Sequence, residues 1–158
     1  MEYRQLVDML SKGSAPERAI AAAGLGKLKD PRAAQVLIES LKDQDLVVRD
    51  NAAYALAEIG VRDAVPSLIA LLEDHSQTVR KSAAKALGML GAKEAVPDLI
   101  LALKDPAFWV RKSAIRSLGQ IGGARALEAL RGELASESGG PSEALLKKAI
   151  ESIVGRKP

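Results

Sequence analysis

Arginine and aspartate recur along this chain at a fixed interval of 31 residues. Arg49, Arg80 and Arg111 share one position, and Asp43, Asp74 and Asp105 each stand six residues ahead of one of them. A column of guanidinium groups could bind phosphates, because each presents a rigid fork of N–H donors. The spacing serves a structural chemistry better. A carboxylate at the turn before each arginine is what an ion-paired ladder between neighbouring repeats needs, since a charge near a core requires a partner. The ladder is the preferred reading of all six residues.

Other residue types offer less. His75 is the sole histidine and follows Asp74 in a turn, and there is no cysteine. A metal site would have to be built from carboxylates alone, and none cluster. No Gly-rich phosphate loop follows a strand, and the acidic residues are scattered over polar faces, so no acid–base pair emerges. The sequence therefore predicts neither a catalytic centre nor a cofactor. Trp109 shares its column with Val47 and Thr78, where the repeat resemblance given below implies packing at a turn. An exposed tryptophan there would read as a binding anchor. Phe108, beside it, has no evident role.

The same interval defines the elements that carry these residues. Leu25, Leu56, Leu87 and Leu118 form one column; Leu37, Leu68, Leu99 and Leu130 form another. Recurrence at about this length marks a stacked repeat array. Within each unit, Ala52, Ala53, Leu56 and Ile59 follow one helix face, and Ala64, Val65, Leu68 and Leu72 follow a second. Gly60, Gly91 and Gly122 end the first helices. Asp30-Pro31 opens one second helix, and Pro66 and Pro97 fall in the first turn of two others. Ser14 to Glu17 has capping-box spacing. The fold class is all-α: an α-solenoid of stacked antiparallel helix pairs. Residues 1–158 read as one domain, with a half-repeat helix at 1–12 and repeats at 14–43, 45–74, 76–105 and 107–135. A loop at 136–141 and a capping helix at 142–154, opened by Ser142, complete it. Gly24 and Gly26 weaken the first helix of the first full repeat, by roughly 1 kcal/mol each relative to alanine.

Composition sets further bounds. A hydrophobic fraction of 47% with only 3% aromatics demands a core of Ala, Leu, Ile and Val, which suits closely packed helices. No apolar run is long enough for a signal peptide or a membrane span. A cysteine-free chain fits a reducing, cytoplasmic setting. The single asparagine, Asn51, is consistent with a thermophilic source. Charge is uneven: residues 1–74 hold 9 Lys/Arg against 12 Asp/Glu, a balance of −3, and the remainder holds 14 against 8, a balance of +6. This polarity favours a monomer or weak head-to-tail self-association. Outward positions of the third and fourth first helices gather Lys81, Lys85, Lys112 and Arg116, a basic patch able to meet phosphates or an acidic protein.

The run Val79 to Ile100, echoed by Val48 to Ile69 and Val110 to Leu130, resembles the short HEAT-like repeat of phycobilin lyases. Such arrays place second helices along the concave side. The resemblance thus implies a binding floor at Pro66, Ala70, Pro97 and Leu101, rimmed by Glu73, Glu94 and Lys104. An apolar centre with a polar rim is the usual anatomy of a protein contact. The expected function is a non-enzymatic interaction scaffold for a protein or peptide. Two alternatives are a bilin-lyase-like accessory protein, implied by the resemblance alone, and nucleic-acid binding through the basic half, which the mild net charge disfavours.

Overall fold

The computed structural model describes residues 1–156, whose regular elements are all helices, with no strand among them. Ten α-helices run α1 Tyr3–Lys12, α2 Ala15–Leu28, α3 Ala34–Ser40, α4 Leu46–Ile59, α5 Val65–Ala70, α6 Gln77–Met89, α7 Val96–Ala102, α8 Phe108–Ile121, α9 Ala124–Ser136 and α10 Glu143–Val154. The even-numbered helices form one layer and the odd-numbered helices the other. Each even helix packs on the even helix before it and on the odd helix between them. α10 rests on α8 and α9 in the same manner, taking the place of a fifth first helix.

The leucine columns explain the stacking. Leu25, Leu56, Leu87 and Leu118 from the even layer, and Leu37, Leu68, Leu99 and Leu130 from the odd layer, are all fully buried. Ala52, Ala53, Ala83, Ala84 and Ala114 are buried beside them and let backbones approach. Gly26 belongs to the same contact. A Cβ there would lie 2.8 Å from the Cα of Ala55 on α4. The residue read from sequence as a weakness is thus the one that allows α2 and α4 to touch. Asn51 on α4 adds a polar fastening at this step, donating from Nδ2 to the Ala19 carbonyl at 2.8 Å.

Local chemistry fixes the helix ends. Asp45 accepts from the backbone N–H groups of Val47 and Val48, Ser76 accepts from Val79, and Ser14 forms a reciprocal box with Glu17. Ala107, which follows Ser76 in the column, has no side chain able to cap α8. Gly60 closes α4 with φ 83, a left-handed conformation that L side chains resist. The second helices α3, α5 and α7 each open through a single 3-10 turn, Pro31–Ala33, Arg62–Ala64 and Lys93–Ala95. Pro66 and Pro97 stand in the first turns of α5 and α7, where a missing N–H leaves no acceptor orphaned.

Two local expectations need correction. α9 continues through Ser136, so the break in the array starts one residue later than the spacing suggested. Ser142 does precede α10, but its side chain is buried and caps nothing. The turn is held instead by Glu143, whose Oε2 accepts the Gly139 N–H at 2.6 Å.

Candidate binding surfaces

Each arginine at the start of a first helix pairs with the aspartate 25 residues on, at the turn that ends its own repeat, so the ion pairs close single repeats rather than joining neighbours as the spacing suggested. Arg49 donates from Nε to Asp74 Oδ2 at 2.9 Å and from Nη2 to Asp74 Oδ1 at 3.0 Å. Arg80 grips Asp105 in the same way at 2.8 and 3.1 Å, and Arg18 grips Asp43 at 2.8 Å through both nitrogens. The third nitrogen reaches back: Arg49 Nη1 donates to the Asp43 carbonyl, six residues earlier, at 2.9 Å. Each carboxylate also takes a backbone N–H at the following turn, from Asp45, Ser76 and Ala107 respectively.

Electrostatics follow from this geometry. The Arg18 fork holds the Asp43 carboxyl below its ordinary range. At Asp74 and Asp105 burial opposes ionisation, yet the facing arginine and the turn N–H outweigh it, and both carboxyls are held low. With so many donors committed within the array, the column offers no row of phosphate-binding forks. Arg111 departs from the pattern. Its Nη1 donates to the Asp105 and Pro106 carbonyls at 2.8 and 3.1 Å, but it forms no ion pair among the described residues.

The second-helix residues named from sequence do not form one site. Ala70, Glu73, Leu101 and Lys104 line a groove of about 310 Å³ between α5 and α7, together with Asp98. Leu101 is 73% exposed, the most exposed large apolar side chain among the described residues. Glu94 and Pro97 lie apart, in a depression at the starts of α7 and α9. Pro66 is exposed but lines neither. Two of the rim charges are already paired: Lys104 with Glu133 at 2.6 Å, and Glu94 with Arg62 at 2.7 Å. The Glu94 backbone N–H, with help from Arg62, lowers its carboxyl pKa.

The four basic residues stand on two helices that pack together. Lys81 and Lys85 lie on α6, Lys112 and Arg116 on α8, and none of the four forms an ion pair among the described residues. Two of the ammonium groups sit over aromatic rings, Lys85 over Tyr54 and Lys112 over Trp109, each at 4.9 Å. Trp109 is 59% exposed, so the packing role expected for it is not observed. In the same column Val47 is also exposed, while Thr78 is half-buried. Phe108 acquires a role, lying edge-to-face with Trp109 at 5.5 Å and beneath the Arg111 guanidinium at 5.8 Å.

A larger depression of about 800 Å³ was missed. It lies along α2, floored by Ala19, Ala23 and Gly24 and bounded by Ile20, Leu28 and Val47. In later repeats the columns of Ile20 and Gly24 meet the preceding first helix, as Asn51 and Ser117 do by hydrogen bonds, and among the described residues no first helix precedes α2. Ile20 stands in the column of Asn51, Ser82 and Ser113, and an apolar residue in a polar column was the signal.

Comparison with known proteins places this architecture. The family model for HEAT repeats matches residues 3–88 and 65–146. The chain is a HEAT-repeat protein. Among solved structures, the complex of CpcE and CpcF of phycocyanin lyase from Nostoc sp. PCC7120 is 28% identical, with a TM-score of 0.86. That match covers 99% of this HEAT-repeat chain and 66% of the other, so the chain spans just under two thirds of that relative. A designed armadillo repeat protein in complex with the peptide (KR)4 shares the fold at 24% identity and a TM-score of 0.76, covering 94% of this chain and 80% of that one. The archaeal HEAT-like repeats protein from Thermococcus onnurineus NA1 shares it at 22% and 0.55, covering 97% and 64%. No curated protein matches the sequence. No helix among the described residues is long and apolar enough to cross a membrane.

Proposed function

We propose that this HEAT-repeat chain is a non-catalytic module that holds a protein or peptide segment in the groove between α5 and α7. The exposure of Leu101 carries this reading. A leucine left 73% exposed beside Ala70, with Glu73, Asp98 and Lys104 around it, has the apolar centre and charged rim of a contact surface. The odd-numbered helices pack less closely on each other than the even-numbered ones, which opens grooves along this layer. Neighbouring side chains differ from repeat to repeat on a constant frame, as a surface selecting one partner requires.

Selection of displayed peptides on the immobilised chain tests the site. Peptides enriched on the natural sequence should lose binding to Leu101→Arg and keep it to Ile20→Arg, which alters the α2 depression instead. Equal binding to Leu101→Arg removes the α5–α7 groove; loss only in Ile20→Arg moves the site to α2.

A second reading rests on the 28% identity to the phycocyanin lyase chains over nearly all of this sequence. It makes the chain an accessory to bilin attachment. Incubation with bilin and apo-phycobiliprotein, followed by absorbance, decides it: no bilin-protein band above the protein-free control rejects it.

A further inference from the structure

Four arginines occupy one column, and three of them are satisfied in the same way. Arg18, Arg49 and Arg80 each direct Nε and Nη2 onto both oxygens of an aspartate 25 residues on. Arg111 is anchored as they are. Its Nη1 rests on the carbonyls of Asp105 and Pro106, as Arg80 Nη1 rests on those of Asp74 and His75. Twenty-five residues on, however, stands Ser136, whose hydroxyl donates to the Gly132 and Glu133 carbonyls on its own helix. The Nε and Nη2 donors of Arg111 have no acceptor among the described residues. Arg111 is partly exposed, and its two unmatched donors are open to a group from outside.

The surroundings suit a ligand rather than a collapsed surface. Phe108 forms a shelf beneath the guanidinium, Trp109 extends it into solvent, and Lys112 lies over the far ring, so this corner holds cations and aromatics in one continuous run. Arginine and tryptophan are the side chains most often found to dominate protein contacts. We infer that Arg111 is an open rung of the ladder: a binding site for a carboxylate brought from outside the array, the aspartate or glutamate of a docked protein that also sets an apolar side chain against Trp109. Bidentate guanidinium–carboxylate pairing supplies the specificity, and the three internal rungs show that this pose accepts such a group. One group among the described residues could compete. Oε2 of Glu137 is buried without a hydrogen-bond partner at the turn after α9.

Nε–Hε resonances of the ¹⁵N-labelled full chain test the inference, because three column arginines serve as internal controls. Sodium acetate, titrated against sodium chloride at matched ionic strength, should shift Arg111 saturably and leave Arg18, Arg49 and Arg80 in place. Ser136→Asp, which puts a carboxylate in the ladder column, should abolish the response while the thermal melt shows the chain folded. A blocked Asp-Leu-Leu tripeptide should bind about tenfold more tightly than acetate, and Trp109→Ala should remove that gain. An equal response to chloride overturns the site. A response that emerges only in Glu137→Gln assigns the rung to Glu137 and overturns the external ligand. A tripeptide no tighter than acetate overturns the protein partner.

Discussion

Arg49 and Asp74 face each other through two parallel hydrogen bonds, of 2.9 and 3.0 Å, from the first turn of α4 to the turn that ends the same repeat. Both side chains are mostly shielded from water, at 16% and 10% exposure. The pair is therefore worth more than a surface ion pair, and breaking it leaves a cation with no counter-charge. Asp74→Asn should lower stability by about 2–4 kcal/mol. Urea denaturation checks this; a loss within measurement error would mean that the rung contributes nothing.

The same rungs set the acid response. Asp43, Asp74 and Asp105 are each held below their ordinary carboxylate range when folded. A group with a depressed folded pKa contributes stability that is fully present above its unfolded value and lost as pH falls through the folded one. The melting temperature should be level from neutral pH down to the ordinary aspartate value, then fall steeply below about pH 4. Melts of the natural chain and of Asp74→Asn as a function of pH give the comparison, and the variant should show the shallower decline.

Ala107 offers a gain in stability. It occupies the N-cap position that Ser14, Asp45 and Ser76 fill in the other repeats, and it leaves α8 without a side-chain cap. Ala107→Ser should raise stability by about 1 kcal/mol. Chemical denaturation should show the midpoint moving upward with an unchanged slope.

Leu87 is buried completely at the centre of the leucine columns. Leu87→Asp would set an unpaired charge in that interior, at a cost of several kcal/mol, comparable to the whole stability of a small domain. Circular dichroism should show loss of helix at room temperature. Leu101→Arg, on the exposed side of the same array, should leave the melting temperature within about 1 °C, because the side chain is already in water.

The fold was legible because repetition turns one sequence into several readings of the same position. Leu25, Leu56, Leu87 and Leu118 agree, and agreement across columns marks the interior. Gly26 was misread because a glycine judged within its own helix looks like a defect; only the approach of Ala55 shows what it permits. The candidate surfaces were less legible. Ile20 is apolar for reasons that depend on what fails to cover it. Trp109 stands in a column whose exposure a spacing rule cannot reveal. Arg111 looked like its neighbours because its own residue type is unchanged; the difference lies 25 residues away, at Ser136.

Each two-point contact ties the first helix of a repeat to the turn that ends the same repeat, so the array carries load in series, and its weakest unit decides where it gives way. Three repeats are closed by an arginine and an aspartate; the fourth, from α8 to the end of α9, is not. Under heat, denaturant or pulling force, α9 and α10 should part from the stack first, while the segment from α2 to α8 still holds. Amide exchange would record this as an ordered sequence of release, beginning at the end whose fastening is missing.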